Sequence, residues 1–321
     1  MAQINMVQSL NRSLDQLMAE DERVIILGED VGRDGGVFRV TDTLLNKYGE
    51  ERVIDTPLSE LGIIGMAAGM AMHGLKPIAE IQFQDFIYPA FDQIVNNISK
   101  IRYRTGGRYS IPLVIRTPYG GGVRGGLYHS QSGESYFVHT AGLTVVTPSN
   151  PYDAKGLLVS AYKRNDPVIF LEPKRLYRSI KAEVPDGLFE VEIGKAAKLK
   201  EGDEVSIITY GSMVPTVMST VEKNGINADV IDLRTLLPMD LDAIIKTAKK
   251  TGRVITVHEA PRTLGVGAEI SALIAERALD SLLAPIVRVA GYDIPFTYSH
   301  EDLYIPGEKR IMSAINRVLA Y

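Results

Sequence analysis

The chain has 321 residues, 45% of them hydrophobic, a net charge of −4 and no cysteine. That length supports two domains with real cores, and the mixed charge gives no electrostatic case for nucleic acid or an anionic membrane as partner. The lack of cysteine excludes disulfides, thiolate catalysis and cysteine-based metal sites. In chain order, Ile4, Val7, Leu10, Leu14 and Leu17 recur at helical spacing, and residues 23–28 form an apolar run ending in glycine that predicts a buried strand. Strand-like runs follow at 53–54, 77–81, 112–115, 144–146 and 167–171, with helices after Glu60, through 91–101 and across 154–162. Strands that are apolar throughout and separated by helices predict a parallel sheet covered on both faces.

Residues 172–204 break this pattern into a charged connection containing proline and glycine. Alternation resumes at 205–211, 228–233, 253–257 and 286–289, and a terminal helix is expected over 308–319. The expectation is an α/β chain of two domains, 1–186 and a smaller 187–321, joined through the linker at about 172–204. The N-terminus shows no basic region followed by an apolar one, so a cytoplasmic location is expected. The longest uncharged run, 61–75, is too short and too rich in glycine for a membrane span and reads as a buried helix.

Glu60 stands at the end of a turn containing Pro57 and opens a run of small and apolar residues with glycines at 62, 65 and 69. It reads either as a helix-start acid favoured by the macrodipole or as an acid screened from water and suited to proton exchange with a ring nitrogen. Of the five histidines, none forms a zinc-type pair. His129 follows a segment with five glycines and Arg124, so it is either a catalytic group on a polar loop or an ordinary surface histidine. His258, at the end of an apolar strand, reads as structural. Gln82, Phe83 and Phe86 follow a strand and form either an aromatic wall for a flat ligand or core packing. The segment from Gly28 to Gly36 matches no nucleotide fingerprint, and its acids would repel phosphate.

Glu60 followed by Gly65-Met66 and Gly69-Met70 resembles the pyrimidine-binding half of thiamin diphosphate enzymes. With residues 27–31, 55–60, 86–93, 102–105, 128–132, 153–158 and 232–238, the chain resembles the β subunit of the decarboxylating component of 2-oxo acid dehydrogenases over nearly its full length. His129-Ser130-Gln131-Ser132 with Glu134, the run from Glu172 to Arg178, and Gly291 to Phe296 are most similar to the branched-chain enzyme; pyruvate and acetoin versions share most of the motifs.

The resemblance implies a transketolase-like pyrimidine-binding domain plus a smaller transketolase C-terminal domain that supports assembly and docks the acyltransferase core. It implies that Glu60 bonds the aminopyrimidine, that Leu58, Gln82 and Phe86 line that ring, and that His129 handles the acyl and incoming lipoyl groups. Ala161 and Asp166 match positions that hold a structural potassium ion. Relatives bind diphosphate and Mg²⁺ through Gly-Asp-Gly, which this chain lacks. The resemblance therefore implies an α subunit supplying that half of the site in an α2β2 assembly, with a small 2-oxo acid as substrate. The rival from another class is a non-catalytic assembly subunit.

Overall fold

The computed structural model describes residues 2–321. Its strands are β1 (Ala2–Asn5), β2 (Val24–Gly28), β3 (Val53–Asp55), β4 (Lys76–Glu80), β5 (Val114–Tyr119), β6 (Thr144–Val146), β7 (Val168–Pro173), β8 (Lys181–Val184), β9 (Ala197–Lys200), β10 (Val205–Thr209), β11 (Ala228–Asp232), β12 (Thr235–Leu237), β13 (Val254–Pro261) and β14 (Val287–Gly291). The first sheet has the order β12-β6-β7-β5-β4-β2-β3, and the second β14-β13-β10-β11-β9. Within each sheet the central pairs are parallel, and β12 and β9 add antiparallel edges.

Local chemistry explains the covering helices. Asn5 and Gln8 form a reciprocal capping box at the start of helix Met6–Glu20. Asn150 caps helix Pro151–Lys163, which has proline in its first turn. These two helices pack together on one face of the first sheet. On the other face, one apolar cluster runs from Ile63, Ile94 and Ile115 into Ile208, Ile231 and Ile244, so the two domains share a continuous core. A third cluster lies under helices Met213–Lys223 and Glu308–Leu319.

Three expectations needed correction. The charged connection at 172–204 carries structure: β7 runs to Pro173, β8 pairs with the N-terminal strand β1, and β9 edges the second sheet. Both added strands carry lysines, which suits sheet edges but hides them from a search for apolar runs. The segment Thr235–Leu237, beyond the linker, crosses back to edge the first sheet. Helix Glu60–Met72 is not buried all round. Ile63, Ile64, Ala67, Ala68 and Ala71 face the core, whereas Leu61, Met66, Gly69 and Met72 are exposed.

Beneath the site, Arg116 is wholly buried between two carboxylates. It contacts Glu80 at 2.6 Å and both oxygens of Glu172 at 2.8 and 2.9 Å, and Tyr177 donates to Glu172. This arrangement ties β4, β5 and β7 together just below their carboxyl ends.

Candidate active site at the carboxyl ends of the first sheet

Strand β2 ends at Gly28, where a Cβ would come within 2.6 Å of the Glu80 carbonyl. The backbone then turns and delivers Glu29, which is 4% exposed and has no hydrogen-bond partner on either carboxylate oxygen among the described residues. Burial pushes its pKa up to about 7, and the charges of Glu60 and Asp30 add to the rise. Neighbouring β3 ends in Asp55, whose carboxylate accepts the Gly32 and Arg33 N–H groups at 2.6 and 3.0 Å and so fixes the loop beyond Gly28. After Asp55 the chain turns through Pro57 and Leu58, which is 83% exposed. Ser59 then caps the helix by accepting from Gly62 N–H, and Glu60 is its first residue. Glu60 is thus both a helix-start acid and the electrostatic neighbour of Glu29.

From β4 come Gln82, Phe83, Asp85 and Phe86. Gln82 donates to Asp30 at 2.7 Å. The Phe83 and Phe86 rings meet edge-on at 5.6 Å, and the His129 imidazole contacts them at 4.7 and 5.1 Å. Lys174, at the end of β7, lies 5.5 Å from the Phe83 ring centre. It is 3% exposed, its Nζ has no hydrogen-bond partner among the described residues, and burial pushes its pKa down to about 8. Asp85 accepts the Gln131 N–H at 3.2 Å, and its burial raises its pKa.

Glu60, Gln82, Phe86 and His129 therefore gather at one end of the sheet, with Leu58 at its mouth. This is the end where ligands bind in open α/β sheets. Two neighbouring acids, one of them buried, walled by aromatic edges, can exchange a proton with a nitrogen of a flat heteroaromatic ligand. Ala161 and Asp166 lie at the opposite end of the sheet. The Ala161 carbonyl accepts Arg164 N–H at 3.1 Å, and Asp166 pairs with Arg102 at 2.8 Å. No set of three His, Asp or Glu side chains suited to a metal occurs among the described residues.

Sequence reasoning missed Glu29, Asp85 and Lys174. The signal for Glu29 was its place directly after an apolar strand ending in glycine. His258 is a buried ring stacked on Tyr210 at 5.9 Å, with its pKa pushed down to about 4 by burial, as a structural histidine would be. A cleft of about 630 Å³ opens beside the His129 loop and is lined by Tyr88, Tyr128, Tyr136, Leu264 and Ile294 of the two domains.

The fold and this site define a class. Residues 2–180 match the family model "Transketolase, pyrimidine binding domain", and residues 194–311 match "Transketolase, C-terminal domain". A solved structure titled "Split gene transketolase, inactive beta4 tetramer" superposes with a TM-score of 0.81 over 99% of both chains at 22% identity, a likeness of fold. The chain is 50% identical to the mitochondrial 2-oxoisovalerate dehydrogenase subunit beta of Dictyostelium discoideum, over 99% of this chain and 87% of that one. It is 45% identical to the 2-oxoisovalerate dehydrogenase subunit beta of Pseudomonas aeruginosa, over 98% and 95%. It is also 46% identical, over the whole of both chains, to the pyruvate dehydrogenase E1 component subunit beta of Bacillus subtilis. The chain belongs to the family of 2-oxo acid dehydrogenase E1 β subunits. No helix among the described residues is long and apolar enough to cross a membrane.

Proposed function

We propose that this chain supplies the pyrimidine half of a thiamin diphosphate site shared with an α subunit in an α2β2 assembly. The assembly decarboxylates a branched-chain 2-oxo acid and passes the acyl group to a lipoyl group of an acyltransferase core. One observation carries this: Glu29, buried and without a hydrogen-bond partner, stands within electrostatic reach of Glu60 at the sheet end that also presents Phe83, Phe86 and His129. These groups fit an aminopyrimidine, which offers ring nitrogens to carboxyl groups and a flat face to aromatic edges. When bound, the cofactor supplies a carbon nucleophile and an electron sink for loss of CO₂.

The chain's own residues do the rest. Glu60 gives and takes a proton at a ring nitrogen. Burial lifts the Glu29 pKa to about 7, so about half of it holds its proton near neutral pH, which eases the repulsion between the two acids. Phe83 and Phe86 exclude water, and His129 gives a proton to the sulfur released when the lipoyl disulfide opens, or exchanges one with the acyl oxygen. Mg²⁺ and the diphosphate fall to the α subunit, since this chain has no Gly-Asp-Gly. The open face of helix Glu60–Met72 supports that division. A Cβ at Gly65 or Gly69 would meet nothing within 4 Å, and Leu61, Met66 and Met72 stand exposed beside them. An apolar stripe of this kind is a surface for another subunit.

The runs around His129, Glu172 and Gly291 support the branched-chain substrate. Pyruvate is the second reading, because relatives named for each substrate stand at similar identity. The test is kcat/KM for 2-oxoisovalerate and pyruvate on the chain assembled with its α partner. 2-Oxoisovalerate should be preferred by about 10–200-fold, the range that one or two methylenes allow. A preference for pyruvate would overturn the substrate. An assembled, cofactor-saturated tetramer that turns over neither would leave only an assembly role.

A further inference from the structure

We propose that Glu259, a carboxylate of the second domain, is a positioning residue for His129, acting by gripping the glycine-rich segment that carries the histidine. This rests on the role assigned to His129 above. Glu259 lies near the end of β13 and is buried at the domain junction. One of its oxygens accepts the Gly121 N–H and the other accepts the Ser212 hydroxyl, so both are used. Glu301, also buried and also from the second domain, accepts the Arg124 N–H at 3.0 Å.

Packing follows the same line. A Cβ at Gly121 would come within 2.6 Å of Phe296 and 2.9 Å of Ile305, both in the second domain, and one at Gly120 would reach Glu259 at 3.0 Å. Gly120 and Gly122 adopt φ of +78° and +93°, so the segment bends in a way that L side chains rarely adopt. The far end of the loop is tied to the first domain. Gly133 N–H donates to Gln84 at 3.0 Å, Gln131 N–H donates to Asp85, and the Gly120 N–H closes the loop onto the Gln131 carbonyl at 2.9 Å. His129 is held between these two sets of anchors and rests on the edges of Phe83 and Phe86. The second domain therefore supplies one jaw of a clamp whose other jaw is the turn after β4.

Burial raises the pKa of Glu259, while its hydrogen bonds from Ser212 and Gly121, and then Lys174 and Arg175, pull it back. The grip itself needs only an acceptor for Gly121 N–H and a polar partner for Ser212. Glu259→Gln keeps both, because its amide oxygen accepts and its amide nitrogen can donate to the serine oxygen. Glu259→Leu fills a similar volume and accepts nothing.

The experiment compares these variants as complexes with the α subunit. The readouts are amide hydrogen exchange across residues 119–134, and the rate of acyl transfer to free lipoamide set against decarboxylation followed with a dye acceptor. Losing a buried acceptor in Glu259→Leu should raise exchange over 119–131 about tenfold and lower kcat for lipoamide about tenfold. Protection of β2 and β4 and KM for the 2-oxo acid should not change. Glu259→Gln should stay within about twofold of the unmodified chain on both readouts, since its hydrogen bonds are kept.

Unchanged exchange in Glu259→Leu, or equal damage in Glu259→Gln, would overturn the proposal. If Glu259→Leu does not assemble, Ser212→Ala decides: faster exchange of the loop supports the grip, and no change overturns it. Should His129→Ala transfer acyl groups normally, the role of His129 falls, while the exchange data still decide whether Glu259 holds the loop.

Discussion

The two ends of the site are finished in different ways. At the acid end, Glu60 opens a helix whose glycines face open space, and Leu58 beside it is almost fully exposed. At the histidine end, the loop carrying His129 is tied by Gln84 and Asp85 on one side and by Glu259 and Glu301 on the other. Glycine serves both ends for opposite reasons. Gly121 admits a neighbour from its own chain, whereas Gly65 and Gly69 face open space. The difference teaches how each end is held: the histidine is positioned by its own chain, whereas the helix that Glu60 opens keeps an uncovered apolar face.

The largest expected effect comes from the acid end. Glu60→Gln, assembled with its α partner, should lose decarboxylation by about 10²–10⁴-fold, the range for a positioned acid or base, with assembly retained. Turnover like that of the unmodified enzyme would sink the assigned role. At the other end, His129→Ala should slow acyl transfer to lipoamide about a hundredfold, and by at least as much as it slows decarboxylation. An unchanged transfer rate would count against the histidine.

A pair of glycine substitutions sharpens the contrast further. Gly121→Ala forces a methyl against Phe296 and Ile305 and should destabilise the isolated chain by about 1–3 kcal/mol in urea unfolding. Gly69→Gln should leave the isolated chain as stable as before, or up to about 1 kcal/mol more so, because the helix loses a glycine. The same substitution should abolish co-sedimentation with the partner. Gly69→Gln destabilising the lone chain, or assembling normally, would erase the distinction between the two ends.

The last effect is a pH slope. The folded chain lifts Glu29 from 4.5 to about 7, so it keeps a proton that the unfolded chain releases between those values. Glu29 therefore costs increasing stability as pH rises through that window, and its full cost is felt above pH 7. Glu29→Gln should stabilise the isolated chain more at pH 8 than at pH 5, read as the shift in urea midpoint. An equal shift at both pH values would contradict the assignment.

Much of this was legible in the sequence because strands and helices announce themselves by apolar period. Helix Pro151–Lys163 and strands β10, β11, β13 and β14 fall where that period puts them. Strands β8 and β9 did not show, since lysine-bearing edges lack an apolar run. In the site, Glu60, Gln82, Phe86 and His129 were visible through their motifs. Glu29 and Lys174 were not, because an acid or a lysine in a sequence carries no sign that the fold will bury it unpaired. Nor could the sequence show that Glu259, more than a hundred residues beyond Gly121, accepts its N–H.

The central claim is that this chain holds half of a cofactor site. Isothermal titration of thiamin diphosphate with Mg²⁺ into the chain alone, and into the chain assembled with its α subunit, tests it most directly. Binding should appear only in the assembly, with one cofactor for each αβ pair. Binding to the isolated chain as tight as to the assembly would contradict it.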